Sequence, residues 1–290
     1  MTAVEKNDGT VGKALAVLDQ IASYGRPVRF TELLGDSPLP KATLYRFVQI
    51  LTNQGMLQYD PERQTYAPGL RLVRLAHTAW EQSSLAPVAR PHLDALSYET
   101  GETVHLAQLD HAQVLYVDKR NARDPVEMYS QAGKVGPAYC TGVGKAMLAF
   151  LPEPELKTAL AQQSWHRFTA TTHGSSESLS QELSDIRKDG LSFDREEHET
   201  GIICVAAPIL NSHRRPLGAL SVTGTTSRTS LENLKTLGPR LQDAAQSIAR
   251  DAESWLFPQT NGAALPSQTT SKGKTPHVRS DARKSHQTLR

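Results

Sequence analysis

Apolar positions along the chain fall into two spacings, and the switches between them predict the elements. Val11, Ala14, Leu15, Leu18 and Ala22 recur at helical spacing, and Tyr24-Gly25-Arg26-Pro27 ends that helix. A short helical segment, Phe30 to Leu34, follows, with Thr31 as a plausible N-cap and Gly35 to Pro38 as a turn. The next helix runs from Pro40 to about Asn53, with Leu44, Phe47, Val48 and Leu51 on one stripe. Met56–Tyr59 and Thr65–Ala67 read as two short strands around the turn Asp60–Gln64. Three helices and a hairpin in this order predict a winged helix-turn-helix.

Leu70 to Ala89 predicts a linking helix, with Pro87 and Pro91 marking its far end. Beyond it, Leu93–Ser97 is helical and Gly101 caps it. Val104–Leu109, Val114–Asp118 and Glu127–Ser130 predict strands. Gly142–Leu151 opens as a glycine-rich turn and becomes a helix. Ser178 and Gln181 suit a capping box for a helix from Leu179 to Lys188. Cys204–Leu210 and Leu217–Thr223 are strong strands, and one long helix is expected over Leu231–Trp255. The fold class is therefore α+β, with an antiparallel sheet in the larger second domain. The expected division is 8–69 for the winged helix-turn-helix, 70–90 for the linker and 91–257 for the second domain. The tail 258–290 has almost no large apolar residue and is expected to be disordered.

Charge adds one feature. The formal net charge is +2. Residues 1–80 hold nine Lys/Arg against seven Asp/Glu and residues 258–290 hold six against one, so the middle is acidic. Positive ends on an acidic body suit nucleic acid, and equally suit ordinary solvated faces. No apolar run approaches the ~20 residues that span a membrane. Met1–Gly12 carries no signal-peptide pattern. Cys140 and Cys204 form neither a CxxC pair nor a zinc spacing. A cytoplasmic protein with reduced thiols, no metal and no cofactor is expected.

The helix from Pro40 has the division of faces that groove binding needs, with an apolar back and a polar front. Lys41, Thr43, Tyr45, Arg46 and Gln49 lie off the apolar stripe, and no acidic residue occurs between Lys41 and Asn53. Arg46 can fork hydrogen bonds to guanine or phosphate. Arg63 in the wing turn can reach the backbone. An amphipathic surface helix with incidental basic residues fits the same pattern.

Catalytic motifs fail one by one. Gly142-Val143-Gly144-Lys145 lacks the Walker glycine, since position 139 is Tyr139, and lacks the hydroxyl, since position 146 is Ala146. His198-Glu199 is not a zincin start, because Ile202 stands where His is required. No Gly-x-Ser-x-Gly elbow is present, and no enzyme is expected.

The run Leu39-Pro40-Lys41-Ala42-Thr43-Leu44-Tyr45-Arg46-Phe47-Val48-Gln49-Ile50-Leu51 resembles the recognition helix of the IclR family of bacterial transcriptional regulators. So does the wing with Tyr66 and Gly69-Leu70. Tyr139-Cys140-Thr141-Gly142-Val143-Gly144-Lys145-Ala146-Met147-Leu148-Ala149 resembles the family's effector-domain signature. Glu199–Pro208 and Gly218–Gly224 continue it, so the likeness spans 11 to about 255. It implies a GAF-like effector domain whose pocket draws on Gly142, Val143, Asp194, Cys204, Ser221 and Thr223, with Met128 and Ile202 as apolar wall. Read without the resemblance, Cys204 also fits a plain buried hydrophobe, and Ser221 and Thr223 fit bonds to a neighbouring strand. The implied partners are double-stranded operator DNA, a small carboxylate effector and further copies of the chain, as a homodimer or a dimer of dimers. Tyr116–Lys119 and Met128–Ser130 look more like the family's sugar-acid regulators than its aromatic-acid ones. An aromatic acid, a fused enzyme and a ligand-free dimerisation module stay open as alternatives.

Overall fold

The computed structural model describes residues 9–83 and 85–256. The tail expected over 258–290 lies outside the described residues.

The first helices appear where the periodicity puts them: α1 at Gly9–Ser23, α2 at Phe30–Gly35 and α3 at Lys41–Asn53. Val17, Leu18 and Ile21 of α1 close on Leu33 of α2 and on Leu44, Phe47, Val48 and Leu51 of α3. Val28–Arg29 forms a two-residue strand, β1, which the sequence did not signal. It joins β2 (Leu57–Asp60) and β3 (Thr65–Pro68) in an antiparallel sheet ordered β1-β3-β2. Gly69 packs the end of the wing tightly against the turn before β2, because a Cβ there would lie 2.3 Å from the Gly55 carbonyl oxygen. Arg29, not Thr31, occupies the N-cap of α2, and no side chain caps it.

The linker is two helices rather than one. The helix α4 spans Leu70–Ser83 and α5 spans Ala86–Thr100. Pro87 begins α5, where its missing N–H costs nothing, and Pro91 lies inside that helix rather than at an end. Gly101 closes α5 at φ 69°, a left-handed cap that glycine adopts without strain.

A six-stranded antiparallel sheet comes next, ordered β6-β5-β4-β9-β8-β7. Its strands are β4 (Thr103–Asp110), β5 (Gln113–Arg120), β6 (Val135–Pro137), β7 (Ser192–Arg195), β8 (Ile202–Leu210) and β9 (Pro216–Thr225). Alternation sorts its two faces. Ile203, Val205, Ala207 and Ile209 of β8, with Leu220 and Val222 of β9, join one core with Leu93 and Leu96 of α5. Ala206 and Ala219 turn to the other face, against a core built around Val143, Met147 and Leu148. These belong to α6 (Gly142–Leu148), which is buried along its whole length. The helices α7 (Glu153–Ala161) and α8 (Ser176–Asp189) complete this side.

Three further expectations are corrected. Residues 127–130 are loop, not strand. A backbone bond from Gln131 to Tyr129 turns that stretch, one from Gly133 ties it to Tyr116 of β5, and the strand that follows is β6 at the sheet edge. The capping box of α8 pairs Ser175 with Ser178 rather than Ser178 with Gln181. The last helix is broken into α9 (Leu231–Thr236) and α10 (Gly238–Leu256). Pro239 cannot donate to a continuing helix. The Gly238 backbone packs where a Cβ would lie 2.5 Å from a Leu191 methyl.

Candidate DNA-reading helix and effector cavity

The apolar stripe of α3 is fully spent on the core. Leu44, Phe47, Val48 and Leu51 are buried, so the other side of the helix must face water. Lys41, Tyr45 and Arg46 are exposed there, while Thr43 and Gln49 are half-buried. Pro40 is the N-cap and provides no side-chain bond, leaving the first-turn N–H groups without a side-chain acceptor. Arg46 lies over the Phe47 ring at 5.6 Å, and Tyr45 meets Phe30 edge-on at 5.7 Å. Arg63 projects from the wing turn and is loosely paired with Asp60 at 3.8 Å, both exposed. The five α3 residues singled out in the sequence therefore share one element, and Arg63 stands on the neighbouring hairpin.

The second site forms on the sheet face that packs against α6. Strand register puts Asp194 opposite Cys204, and Cys204 opposite Thr223, in one cross-strand row. In the next row Ala206 faces Ser221, and Ser221 faces His105. Cross-strand partners share a face, so these rows carry their polar groups to the same side. Gly142 covers them, and only glycine fits, since a Cβ there would meet the Cys204 Sγ at 2.4 Å. The rows and α6 line a small, partly open cavity of ≈ 30 Å³.

Seven of the eight effector residues named from sequence line this cavity: Gly142, Val143, Asp194, Ile202, Cys204, Ser221 and Thr223. Met128 is buried, close in sequence to Ser130, and is not among the residues that line the cavity. The loop carrying it folds so that Ser130 reaches the cavity instead. Sequence reasoning also missed His105, Tyr116, Thr141, His198 and Glu199. His105 binds the Ser130 hydroxyl through Nε2 at 2.8 Å, and its Nδ1 lies 3.2 Å from Thr223 Oγ1 and 3.5 Å from Ser221 Oγ. Burial, helped by the charge of Lys119, lowers its pKa to about 3, so the ring is neutral at physiological pH. A polar residue inside the buried strand Thr103–Ala107 was the available signal.

Asp194 is almost wholly buried, and its Oδ1 accepts the Glu197 backbone N–H at 2.8 Å. Burial and then the Glu197 charge push its carboxyl up to about 7. Burial likewise drives the Cys140 and Cys204 thiols up, so both stay protonated. Behind the cavity Lys145, completely buried, donates to Glu182 at 2.8 Å and to Glu197 at 2.5 Å. Arg195 and His173 also bond Glu182, at 2.8 and 2.7 Å. Burial would raise the Glu182 carboxyl, but the bonds from His173, Lys145 and Arg195 outweigh it and hold it at about 2. His173, Glu182 and Glu197 converge to within 4.8 Å of one another, and two side-chain cations already neutralise the carboxylates.

The cavity has a link to the linker helix. Trp80 of α4 donates its indole N–H to the Val117 carbonyl at 3.1 Å, and Arg90 lies over its ring at 4.8 Å. Trp80 lines a groove over the sheet that includes Tyr116, which is also a wall of the cavity.

No helix among the described residues is long and apolar enough to cross a membrane. Comparison with known proteins gives a consistent result. Residues 10–61 match the family model for the IclR helix-turn-helix domain, and residues 77–250 match that for the bacterial transcriptional regulator IclR C-terminal region. The chain is 32% identical over 241 residues to the HTH-type transcriptional regulator XynR of Escherichia coli, covering 83% of this chain and 96% of that one. It is 32% identical over 238 residues to the acetate operon repressor of Salmonella typhimurium, covering 81% and 87%. The crystal structure of the Thermotoga maritima IclR superposes with a TM-score of 0.67 at 30% identity, covering 83% of this chain and 97% of that one. With both parts matched in order over most of its length, the chain belongs to the IclR family of transcriptional regulators: it is a DNA-binding regulator and not an enzyme.

Proposed function

We propose that this regulator binds operator DNA through α3 and the wing, and that a small organic acid held in the cavity changes that binding. In this reading Lys41, Thr43, Tyr45, Arg46 and Gln49 enter a major groove and Arg63 takes backbone phosphate. The chain divides into a reading head (8–69), a linker (70–90) and a GAF-like effector domain (91–257). The helix α4 leaves Leu70, Val73 and Leu75 exposed, which suits contact with a second copy. A dimer, or a pair of dimers, then spans two half-sites of an imperfect palindrome.

The observation that carries the effector half is the cavity itself, lined by hydroxyls, a neutral histidine and Asp194 between the sheet and α6. Ser221 and Thr223 provide donors for the acid, and Gly142 leaves the approach open. The sequence leans towards sugar acids, and the small, polar-lined cavity favours the shortest hydroxy acids of that class over an aromatic ring.

A thermal-shift screen with short hydroxy acids and sugar acids tests this. A ligand at a hundred times its Kd adds ~2.7 kcal/mol of stability, which is readily detected. Ser221→Ala is expected to blunt the effect of the hit on operator binding in a gel shift while sparing DNA binding. An unaltered response would remove Ser221 from the site.

A further inference from the structure

The cavity poses an electrostatic problem for an acid ligand. Among the described residues its lining contains no lysine or arginine, but it contains two carboxylates, Asp194 and Glu199. Lys145 is close behind, and both its partners, Glu182 and Glu197, are acidic, so its charge is already engaged. A carboxylate seated in so small a cavity lies close to Asp194, which lines it. Two unshielded anions would then share one buried site, an arrangement that buried carboxyl pairs resolve by sharing a proton.

Asp194 is placed to take that proton. Its Oδ1 is committed to the Glu197 backbone N–H. The groups around it from each packed element do not supply a free positive charge. Glu197, in the turn after β7, is negative and offsets Lys145 of α6. His105 of β4 and Tyr116 of β5 are neutral. Cys140, just before α6, and Cys204 of β8 are neutral thiols. His198 is the other histidine that lines the cavity.

We infer that an acid effector enters together with one solvent proton, which sits on Asp194 and turns its Oδ2 into a hydrogen-bond donor to the ligand carboxylate. The inference rests on the proposal that the ligand is a carboxylate. One ligand anion and one proton are taken up, no covalent bond is made or broken, and the pair carries one negative charge instead of two. The elevated carboxyl of Asp194, at about 7 before any ligand arrives, makes this uptake easy near neutrality. The ligand's own charge raises it further. Well above that range the proton must be drawn from solvent, so affinity falls as pH rises.

Titration calorimetry of the full chain with glycolate tests the proposal. Runs at about pH 8 in HEPES and in Tris, which differ in ionisation heat, count the protons bound per site. About one proton per site is expected, with Kd rising about tenfold per pH unit above pH 8. Asp194→Asn should lose both the uptake and the pH dependence, whereas His198→Gln should keep them. Saturable binding with equal heats in the two buffers would overturn the proton but leave the small-acid reading standing. Uptake that survives in Asp194→Asn and disappears in His198→Gln would also overturn it. Should Asp194→Asn fail to fold, the proton count of the wild type and of His198→Gln decides. Absence of binding by glycolate even at high millimolar concentration, with a correctly folded protein, overturns the small-acid reading and the proposal with it.

Discussion

Replacing Lys145 by methionine keeps an unbranched side chain, one heavy atom shorter, and removes its charge and donors. In the wild type the ammonium bonds Glu182 at 2.8 Å and Glu197 at 2.5 Å, and the Glu197 side chain is 3% exposed. The second oxygen of Glu197 already lacks a hydrogen-bond partner among the described residues, and the next cationic side chains, Arg195 and His173, stand 3.9 Å from its carboxylate, beyond hydrogen-bond reach. Removing one member of a buried pair typically costs ~3–5 kcal/mol, because the surviving charge stays buried. At ~2–4 °C per kcal/mol for a unit of this size, the melting temperature should fall by roughly 6–20 °C. The double variant Lys145→Met/Glu197→Gln removes the orphaned charge and should recover most of the loss. Circular dichroism melts at neutral pH measure both. Because Glu182 has a lowered pKa in the folded state, its stabilisation is present above its ordinary value of 4.5 and fades as pH drops towards 2. The wild type's advantage over the single variant should therefore narrow across that window. A single variant melting within ~2 °C of wild type, or a double variant no better than the single, would refute the argument that Lys145 is held as a counter-charge.

Other outcomes are expected from separate parts of the chain. Arg46→Ala should weaken binding to a promoter fragment by ~10- to 100-fold in a gel shift, given ~1–3 kcal/mol for a good bidentate contact, with no change in melting temperature since the side chain is exposed. Gly142→Ala places a methyl where the Cys204 sulfur lies at 2.4 Å, so a loss of ~1–3 kcal/mol in urea unfolding is expected, partly restored by adding Cys204→Ala. Trp80→Phe removes the indole bond to Val117, and effector should still bind but shift operator affinity less than in wild type, as read by fluorescence anisotropy.

Much of this was written locally in the chain. The helix α3 and the strands β8 and β9 were legible because each keeps one period over nine or more residues. The strands β1 and β7 were not, because two to four residues with mixed polarity carry no period. The helix α7 was missed because only Leu156 and Ala159 are buried along it, too few to make a stripe. The break between α4 and α5 was hidden because Pro87 reads as a stop when it is a start. For the cavity, family resemblance supplied positions that periodicity could not, and it stopped at the motifs. His105 comes from a strand outside them, and its burial depends on pairing across more than a hundred residues with β9. Lys145 offered an unused local clue. It is the only charge in a helix with no exposed face, which requires buried partners, yet Glu197 lies 52 residues away and cannot be named from spacing.

The strand β5 is a partition with a room on either side: Tyr116 lines the cavity on one face, while Leu115 and Val117 pack with Trp80 on the other. Trimming Tyr116 would widen the cavity and, at the same stroke, disturb the strand whose Val117 carbonyl holds the indole of α4. The shape of the cavity and the seat of that helix thus depend on one strand.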